Sequence, residues 1–440
     1  MKYTPSKYNH FFTFEEKNYV YNILSTSIVE LEDSIIEALK NANIDALDKE
    51  VFDGLFEEGM LVESGTNESQ KYSYYYDSIR YGDSASLLKL TILPTYGCNL
   101  ACPYCFEGKN KNPKAMSQKE LDAIINFISK QIDTNRDISP INRLHISFFG
   151  GEPLLCKDSI EYICSKAAEI ANEENLYCAY DITTNLTLLN DDFIKTIKKH
   201  RIELQVTFDG GRSEHNQRRI DKHGNGTFDT IFEHLEKLVS AGLKDLITIR
   251  INIDDSNIAS ASKLFSEVSQ MAGNVYFGYL KDYKSYNDDF TGVCIDKRCF
   301  SKTSVEKLYD VFEQNGLDVP IEFGKRSPCV LNQQNCYVID PLLDVYKCEL
   351  LQNHKECKVG VLTYDGDFIP NKSFYNQMAF VPWRFEKCRE CKLMPLCGAG
   401  CPSERYIQSG QKDGDILFPN CISTEESLTE YLCDYIKRHR

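Results

Sequence analysis

Leu87-Leu88-Lys89-Leu90-Thr91-Ile92-Leu93-Pro94-Thr95-Tyr96-Gly97-Cys98-Asn99-Leu100-Ala101-Cys102-Pro103-Tyr104-Cys105-Phe106 joins an apolar, strand-like run to a tight loop bearing three cysteines. A [4Fe–4S] cube ordinarily takes four Cys thiolates. Three on one loop, with no further Cys until Cys156, leave one iron open to a small ligand. The bland alternatives are a zinc knuckle or buried thiols, but a zinc site would show paired CxxC or Cys/His sets.

Downstream of this loop, strand-like runs alternate with helical ones: Leu144–Phe149, Tyr180–Asn185, Glu203–Phe208 and Ile247–Asn252. Such alternation predicts an α/β fold built on a parallel sheet of β-α units. Ligands in such sheets gather at the carboxyl ends of the strands. Polar motifs fall there: Gly150-Gly151-Glu152-Pro153 after the first of these strands, Thr183-Thr184-Asn185 after the second, Phe208-Asp209-Gly210 after the third.

The chain has 440 residues, of which 18 are Cys, and no apolar stretch near its N-terminus that could serve as a signal peptide or span. A cytoplasmic location is therefore expected, where thiols stay reduced and a cysteine-dense chain points to metal rather than disulfides. A net charge of −15 disfavours nucleic acid or an anionic membrane as partner, because both require a cationic surface. A basic peptide or a neutral small substrate fits better. The length allows two or three cores.

The Cys98/Cys102/Cys105 loop, with aromatic Tyr104 before its last cysteine, resembles the CxxxCxxC loop of the radical S-adenosylmethionine (SAM) superfamily. The resemblance implies a partial (β/α)6 barrel and a [4Fe–4S] cluster whose open iron holds SAM. It also implies an electron donated to SAM, a 5′-deoxyadenosyl radical, and hydrogen abstraction from an unactivated carbon. An external one-electron reductant of the ferredoxin or flavodoxin type is then needed. By the same resemblance Gly150, Gly151, Glu152 and Pro153 form the loop that meets the SAM amino group, with Glu152 balancing its charge. Thr184, Asn185, Asp209, Arg250 and Asn252 line the pocket. In His215-Asn216-Gln217-Arg218-Arg219 the family pattern is His-Asp-x-x-Arg. Arg219 matches the arginine that meets the SAM carboxylate, Asn216 departs from the Asp, and Arg218 is a neighbour easily confused with it.

A second cysteine array follows. Cys388, Cys391, Cys397, Cys401 and Cys421, preceded by Cys329, Cys336 and Cys348, resemble the SPASM domain of peptide and sulfatase maturases, which binds two auxiliary [4Fe–4S] clusters. Carried over, Cys388, Cys391, Cys397 and Cys421 hold one cluster. Cys329, Cys348 and Cys401 hold the other, with Cys336, Cys357 or a substrate thiol completing it. Where that domain has a glycine before Cys348, this chain has Leu343. Glu349 stands where sulfatase maturases carry an Asp base. A zinc ribbon of Cys388, Cys391, Cys397 and Cys401 would leave Cys329, Cys348 and Cys421 unexplained. The remaining cysteines, Cys294 and Cys299 included, read as buried thiols.

The first segment alternates at Phe11–Phe14 and Asn18–Leu24 about a polar turn, Glu15-Glu16-Lys17, and helical patterns follow at Glu32–Leu39 and Glu50–Gly59. This resembles the winged-helix peptide-recognition units of maturases of ribosomally made peptides, which hold a leader segment as an added strand. The Ser-, Asn- and Tyr-rich stretch from Glu63 to Asp83 reads as a linker, with Tyr72 to Tyr76 solvated. Three regions are expected: 1–83 as recognition unit and linker, 84–300 as barrel, and 301–440 as SPASM domain. The whole reads as a maturase installing thioether crosslinks in a Cys-containing precursor peptide. A sulfatase maturase forming formylglycine, a carbon–carbon crosslinking enzyme and a non-catalytic Fe–S electron carrier are the alternatives.

Overall fold

Along β6 (Leu87–Ile92) residues alternate half-buried and buried, and the same period runs through its neighbours, so one face of each strand meets helices and the other a polar interior. The computed structural model describes residues 2–83, 85–108, 112–254, 256–279, 309–314, 323–408, 421 and 424–439. The parallel strands β6, β7 (Arg143–Phe148), β8 (Tyr177–Thr184), β9 (Glu203–Phe208), β10 (Ile247–Ile253) and β11 (Asn274–Tyr279) pair in sequence order. Helices α4 (Gln118–Asn135), α5 (Lys157–Glu173), α6 (Asp191–His200), α8 (Phe228–Ser240) and α9 (Ile258–Val268) cover the outer face, with the short α7 (Arg212–Arg218) beside them. Their starts are locally encoded. Ser117 and Glu120 form a capping box for α4, and the Asn190 side chain accepts from the Phe193 N–H to cap α6. This is the partial (β/α)6 arrangement expected, with Leu90, Ile146, Ile182, Val206 and Ile251 at the centre of its core.

The sheet does not stop at β6. Strand β12 (Cys336–Ile339) pairs with it in parallel, Cys336 opposite Lys89 and Ile339 opposite Ile92, and β13 (Asp344–Tyr346), β14 (Gly360–Leu362) and β15 (Phe368–Pro370) continue antiparallel to make ten strands. The cysteine-rich C-terminal region thus shares a sheet with the barrel. The expected boundary at 300 falls outside the described residues, as do Cys294 and Cys299.

In the N-terminal region, β2 (Asn9–Phe14), β3 (Lys17–Asn22) and β4 (Ile28–Leu31) form an antiparallel sheet. Glu15 and Glu16, both with positive φ, make the two-residue turn whose hand suits a hairpin. One face, through Val20, packs on α1 (Asp33–Lys40) and α2 (Lys49–Glu57). The other, through Tyr8, Phe12, Tyr19 and Tyr21, packs on the C-terminal helix Glu425–His439. Strand β1 (Tyr3–Pro5) pairs with β5 (Leu61–Glu63).

The stretch after β5 is not the solvated linker its composition suggested. Residues Glu68–Asp77 form α3, and Tyr72 and Tyr76 are buried edge-on against Trp383, 6.4 and 5.3 Å from its ring centre. Aromatic rings on one helix face gain more from that apolar contact than their hydroxyls lose, and the Tyr72 hydroxyl still donates to the Arg326 carbonyl at 3.0 Å.

Candidate functional site

The cysteine loop leaves the carboxyl end of β6 and is clamped from two sides. From β7, the Gly151 and Glu152 N–H groups donate to the Thr95 and Gly97 carbonyls at 3.3 and 2.8 Å. A Cβ on Gly150 or Gly151 would overlap those carbonyls, so this close approach admits only glycine. From the other side, the Ala101 N–H donates to the Ile220 carbonyl at 2.8 Å, and Leu100 pairs with Asp221. Cys98 is buried, and Cys102 and Cys105 are half-buried. The Cys102 thiol feels Cys98, Cys105 and Arg219; burial pushes it up to about 12 and the guanidinium pulls the other way. A thiol so placed ionises readily only with a metal cation in contact, which suits iron ligation.

Glu152, 1% exposed, is fully engaged with protein. It accepts from the Leu154 N–H at 2.9 Å, the Thr184 hydroxyl at 2.6 Å and the Asn185 N–H at 2.7 Å, tying the end of β7 to that of β8. Burial raises its carboxyl, and these three donors oppose the shift. Pro153 begins the short turn that follows. The Asn185 amide donates to Asn99 Oδ1 at 3.0 Å and lies 4.0 Å from Cys98 Sγ, so the end of β8 also braces the cysteine loop.

Beyond β9 the polar groups join in a chain. Arg250 Nε donates to Asn252 Oδ1 at 2.8 Å, and Asn252 Nδ2 donates to Asp209 Oδ1 at 3.0 Å. Arg219 lies 3.9 Å from that oxygen and donates to the Tyr104 hydroxyl at 2.9 Å. Arg250 packs over Gly278, where a Cβ would overlap its guanidinium. Asp209 Oδ2 and Arg219 Nε are buried and find no hydrogen-bond partner among the described residues. A carboxylate oxygen and a guanidinium N–H left open side by side suit a ligand carrying both an ammonium and a carboxylate. That is the amino-acid end of SAM, so the residues present fit the group. Glu152, already holding three donors, is less available for the ammonium than Asp209.

The two arginines separate cleanly. Arg218 turns away to pair with Asp254 at 2.7 Å, and Arg219 faces the cysteine loop. Asn216 accepts from the Phe228 N–H at 3.0 Å at the start of α8, a packing task that needs no charge. His215 is held neutral, its pKa lowered to about 2 by burial, and its Nδ1 accepts from the Asp209 N–H at 3.4 Å.

The C-terminal cysteines influence one another in two sets, although among the described residues no three Cys, His, Asp or Glu side chains converge closely enough to hold a single metal ion. Cys329, Cys348 and Cys401 lie within one another's electrostatic reach, with Glu349 beside them, and Cys388 lies in the field of Cys391, Cys397 and Cys421. Burial raises Cys388 to about 11 and Cys348 well above the usual thiol range. Gly398, Ala399 and Gly400, between Cys397 and Cys401, all have positive φ, which turns the chain sharply between these two cysteines. Cys336 feels Cys329 and Lys347, and its thiol donates to Gln333 Oε1 at 3.2 Å. Cys357 is buried in an apolar cluster with Tyr346 and Leu351. Burial, with the nearby Glu356, pushes it up to about 12.

Glu349 begins a short turn whose next residues dock on the cysteine loop. Gln352 Nε2 donates to Glu107 Oε1 at 2.9 Å, and Asn353 Nδ2 to the Phe106 carbonyl at 3.2 Å. A second tie is the Tyr96 hydroxyl on Asp340, whose carboxyl is raised to about 6 by burial. Sequence reasoning missed Glu107, Gln352, Asp340 and Lys347. Only Lys347 and Gln352 carried a signal, their nearness to Cys348.

Residues 92–263 match the model of the Radical SAM superfamily. The cysteine-type anaerobic sulfatase-maturating enzyme of Clostridium novyi is 23% identical over 357 residues, 75% of this chain and 92% of that protein. Among solved structures, anSMEcpe with bound AdoMet and Cp18Cys peptide aligns at TM-score 0.58 and 19% identity, over 80% of this chain and 97% of that one. Streptococcus suis SuiB bound to precursor peptide SuiA aligns at TM-score 0.55 and 14% identity, over 96% of this chain and 99% of that one. At these identities the likeness is one of fold.

Proposed function

From a chain that carries a radical SAM domain and is an enzyme of that superfamily, we propose a peptide maturase that installs thioether crosslinks in a ribosomally made, Cys-containing precursor. Cys98, Cys102 and Cys105 hold the SAM-binding cluster. Cys388, Cys391, Cys397 and Cys421 hold one auxiliary cluster, and Cys329, Cys348, Cys401 and Cys336 the other. When bound, SAM and the first cluster supply the radical that takes hydrogen from the peptide. The protein's own part is to fix the amino-acid end of SAM between Asp209 and Arg219, to exclude water with the Thr95–Gly97 and Gly150–Glu152 contacts, and to present Glu349 as proton acceptor. Cys336 is preferred to Cys357 because it lies in the field of Cys329 and of a buried ammonium.

The observation that carries the reading is the N-terminal unit. Strand β4 pairs only with β3 among the described residues, and beside its open edge lies a groove floored by Val29, Leu31, Ile35, Leu47 and Val51. An extended segment can add there as a fourth strand with alternate side chains in the groove. The likeness to SuiB spans this unit, covering 96% of the chain against 80% for anSMEcpe. The coverage of the sulfatase-maturating relative favours the second reading, formylglycine formation.

The test is anaerobic incubation of reconstituted enzyme with SAM, a reductant such as reduced flavodoxin, and a Cys-containing peptide encoded beside the gene, followed by intact mass and thiol alkylation. Loss of two hydrogens per modification with thiols blocked supports the thioether reading. Modification of a sulfatase-type peptide instead would establish the second reading, and an unmodified precursor with 5′-deoxyadenosine released would overturn the first.

A further inference from the structure

Lys347 is 1% exposed, and its Nζ donates to the Gln333 and Gln334 carbonyls at 2.7 and 3.2 Å. The same ammonium sits 4.9 Å from the Tyr337 ring centre and 5.7 Å from that of Phe374. No carboxylate among the described residues lies within ion-pair distance of it. The preceding carbonyl, Asn332, receives Arg80 Nε at 2.9 Å, and Arg80 is equally buried. Two buried cations therefore hold three consecutive carbonyls of the turn between Cys329 and Cys336. Arg326 reaches the Cys397 carbonyl at 3.5 Å and has its charge beside Cys329, so it stands between the two cysteine groups. Arg405, fully buried four residues after Cys401, lies 3.8 Å from the Phe380 ring centre. Opposite charges nearby are Glu349 and Asp77.

Pinning carbonyls needs donors, not charge; Asn or Gln would serve. Burying an ammonium is unfavourable unless an anion compensates it. A cube held by four thiolates is such an anion, since the thiolates outweigh the charge of the cube itself. Net charge and burial are also what set the potential of a cluster. We propose that the buried Lys347, Arg80 and Arg405, with the half-buried Arg326, form a cationic shell that offsets the negative charge of the C-terminal clusters and raises their reduction potentials. Each of these side chains is a positioning and tuning group, not a catalytic one. The inference rests on the auxiliary-cluster reading above.

The experiment compares reconstituted full-length enzyme with Lys347→Met, Lys347→Arg and Arg326→Gln, measuring iron per chain and reduction potentials by EPR-monitored titration. Lys347→Met and Arg326→Gln are expected to shift an auxiliary signal to more negative potential without moving that of the SAM-binding cluster. Lys347→Arg stays near the starting value. Loss of auxiliary iron in Lys347→Met but not in Lys347→Arg supports the shell equally. Unmoved potentials in both neutral variants, or the same change in Lys347→Arg as in Lys347→Met, would overturn it. A wild-type chain holding the iron of a single cluster would instead overturn the auxiliary-cluster reading, and stoichiometry shows this before any variant is compared.

Discussion

Arg218 and Arg219 are adjacent in sequence and opposite in task, and the difference can be measured. Arg219→Gln removes a charge-assisted hydrogen bond to a ligand carboxylate, worth about 1.5–3 kcal/mol, so SAM affinity should fall about ten- to a hundredfold by isothermal titration. Arg218→Gln breaks the ion pair with buried Asp254 and should lower thermal stability while leaving SAM affinity within about twofold. In the sequence only the spacing from His215 in the resembling motif favoured Arg219; the physical distinction lies in which way the end of α7 points. Leu343 is legible in part: the glycine of the resembling domain is missing, yet the turn survives, with Leu343 at φ 61° and its side chain 4% exposed. Left-handed backbone costs a residue with a Cβ about 1–2 kcal/mol. Ala would lose the buried side chain and keep that strain, whereas Gly would lose the side chain and relieve it. Leu343→Ala should therefore be less stable than Leu343→Gly by about 1 kcal/mol in chemical denaturation, the reverse of the order at an ordinary buried site.

At the level of elements, five of the parallel strands, β6 to β10, were readable because each has an apolar run of strand length, whereas β11 (Asn274–Tyr279) was not singled out and was implied only by the barrel the cysteine loop resembles. Strands β12 to β15 were not readable, since Cys336–Ile339 and Asp344–Tyr346 are too short for a period to show. Helix α3 was misread for another reason: Tyr and Ser are weak helix formers, and only contact with Trp383 reveals the buried face. The contact between the cysteine loop and the β12–β13 turn, Tyr96 on Asp340, has a pH signature. Burial lifts the Asp340 carboxyl from 3.8 to about 6, so the folded state binds its proton more tightly than the unfolded one. Its contribution is most favourable below about pH 4 and is lost as pH rises to about 6. Asp340→Asn keeps an oxygen for the Leu342 and Asp344 N–H groups and removes the titration. The variant should gain on the wild type by about 2 kcal/mol between pH 4 and 6.5, and a constant difference across that range would show that the carboxyl is not strained.

Across the whole molecule, the two cysteine arrays are the plainest signal in the sequence, because the spacing of cysteines is written there directly. The charges around them are not, since burial of Lys347 or Arg405 depends on chain segments far away. On the proposed reading of three clusters of equal size, replacing Cys98, Cys102 and Cys105 by Ala should abolish SAM cleavage and remove about one third of the iron; iron analysis that finds full content would contradict the ligand assignment. The Tyr8, Phe12 and Tyr21 face on the C-terminal helix joins the first and last segments of the chain. Removal of residues 1–83 would therefore strip Tyr72, Tyr76 and Arg80 from beneath the cysteine groups, so substitutions in the β4 groove isolate peptide recognition better than truncation does.

The parallel pairing of β12 with β6 also dictates an order of assembly. During synthesis β6 emerges long before β12, and β7 can occupy only one of its sides. Its other edge stays unpaired until residues 336–339 leave the ribosome. An exposed apolar strand edge recruits other chains, and contacts of such long sequence separation form slowly. A nascent or truncated chain ending after β11 would therefore carry an adhesive edge at the strand that feeds the cysteine loop, and its solubility would depend on how quickly synthesis delivers the strand that seals it.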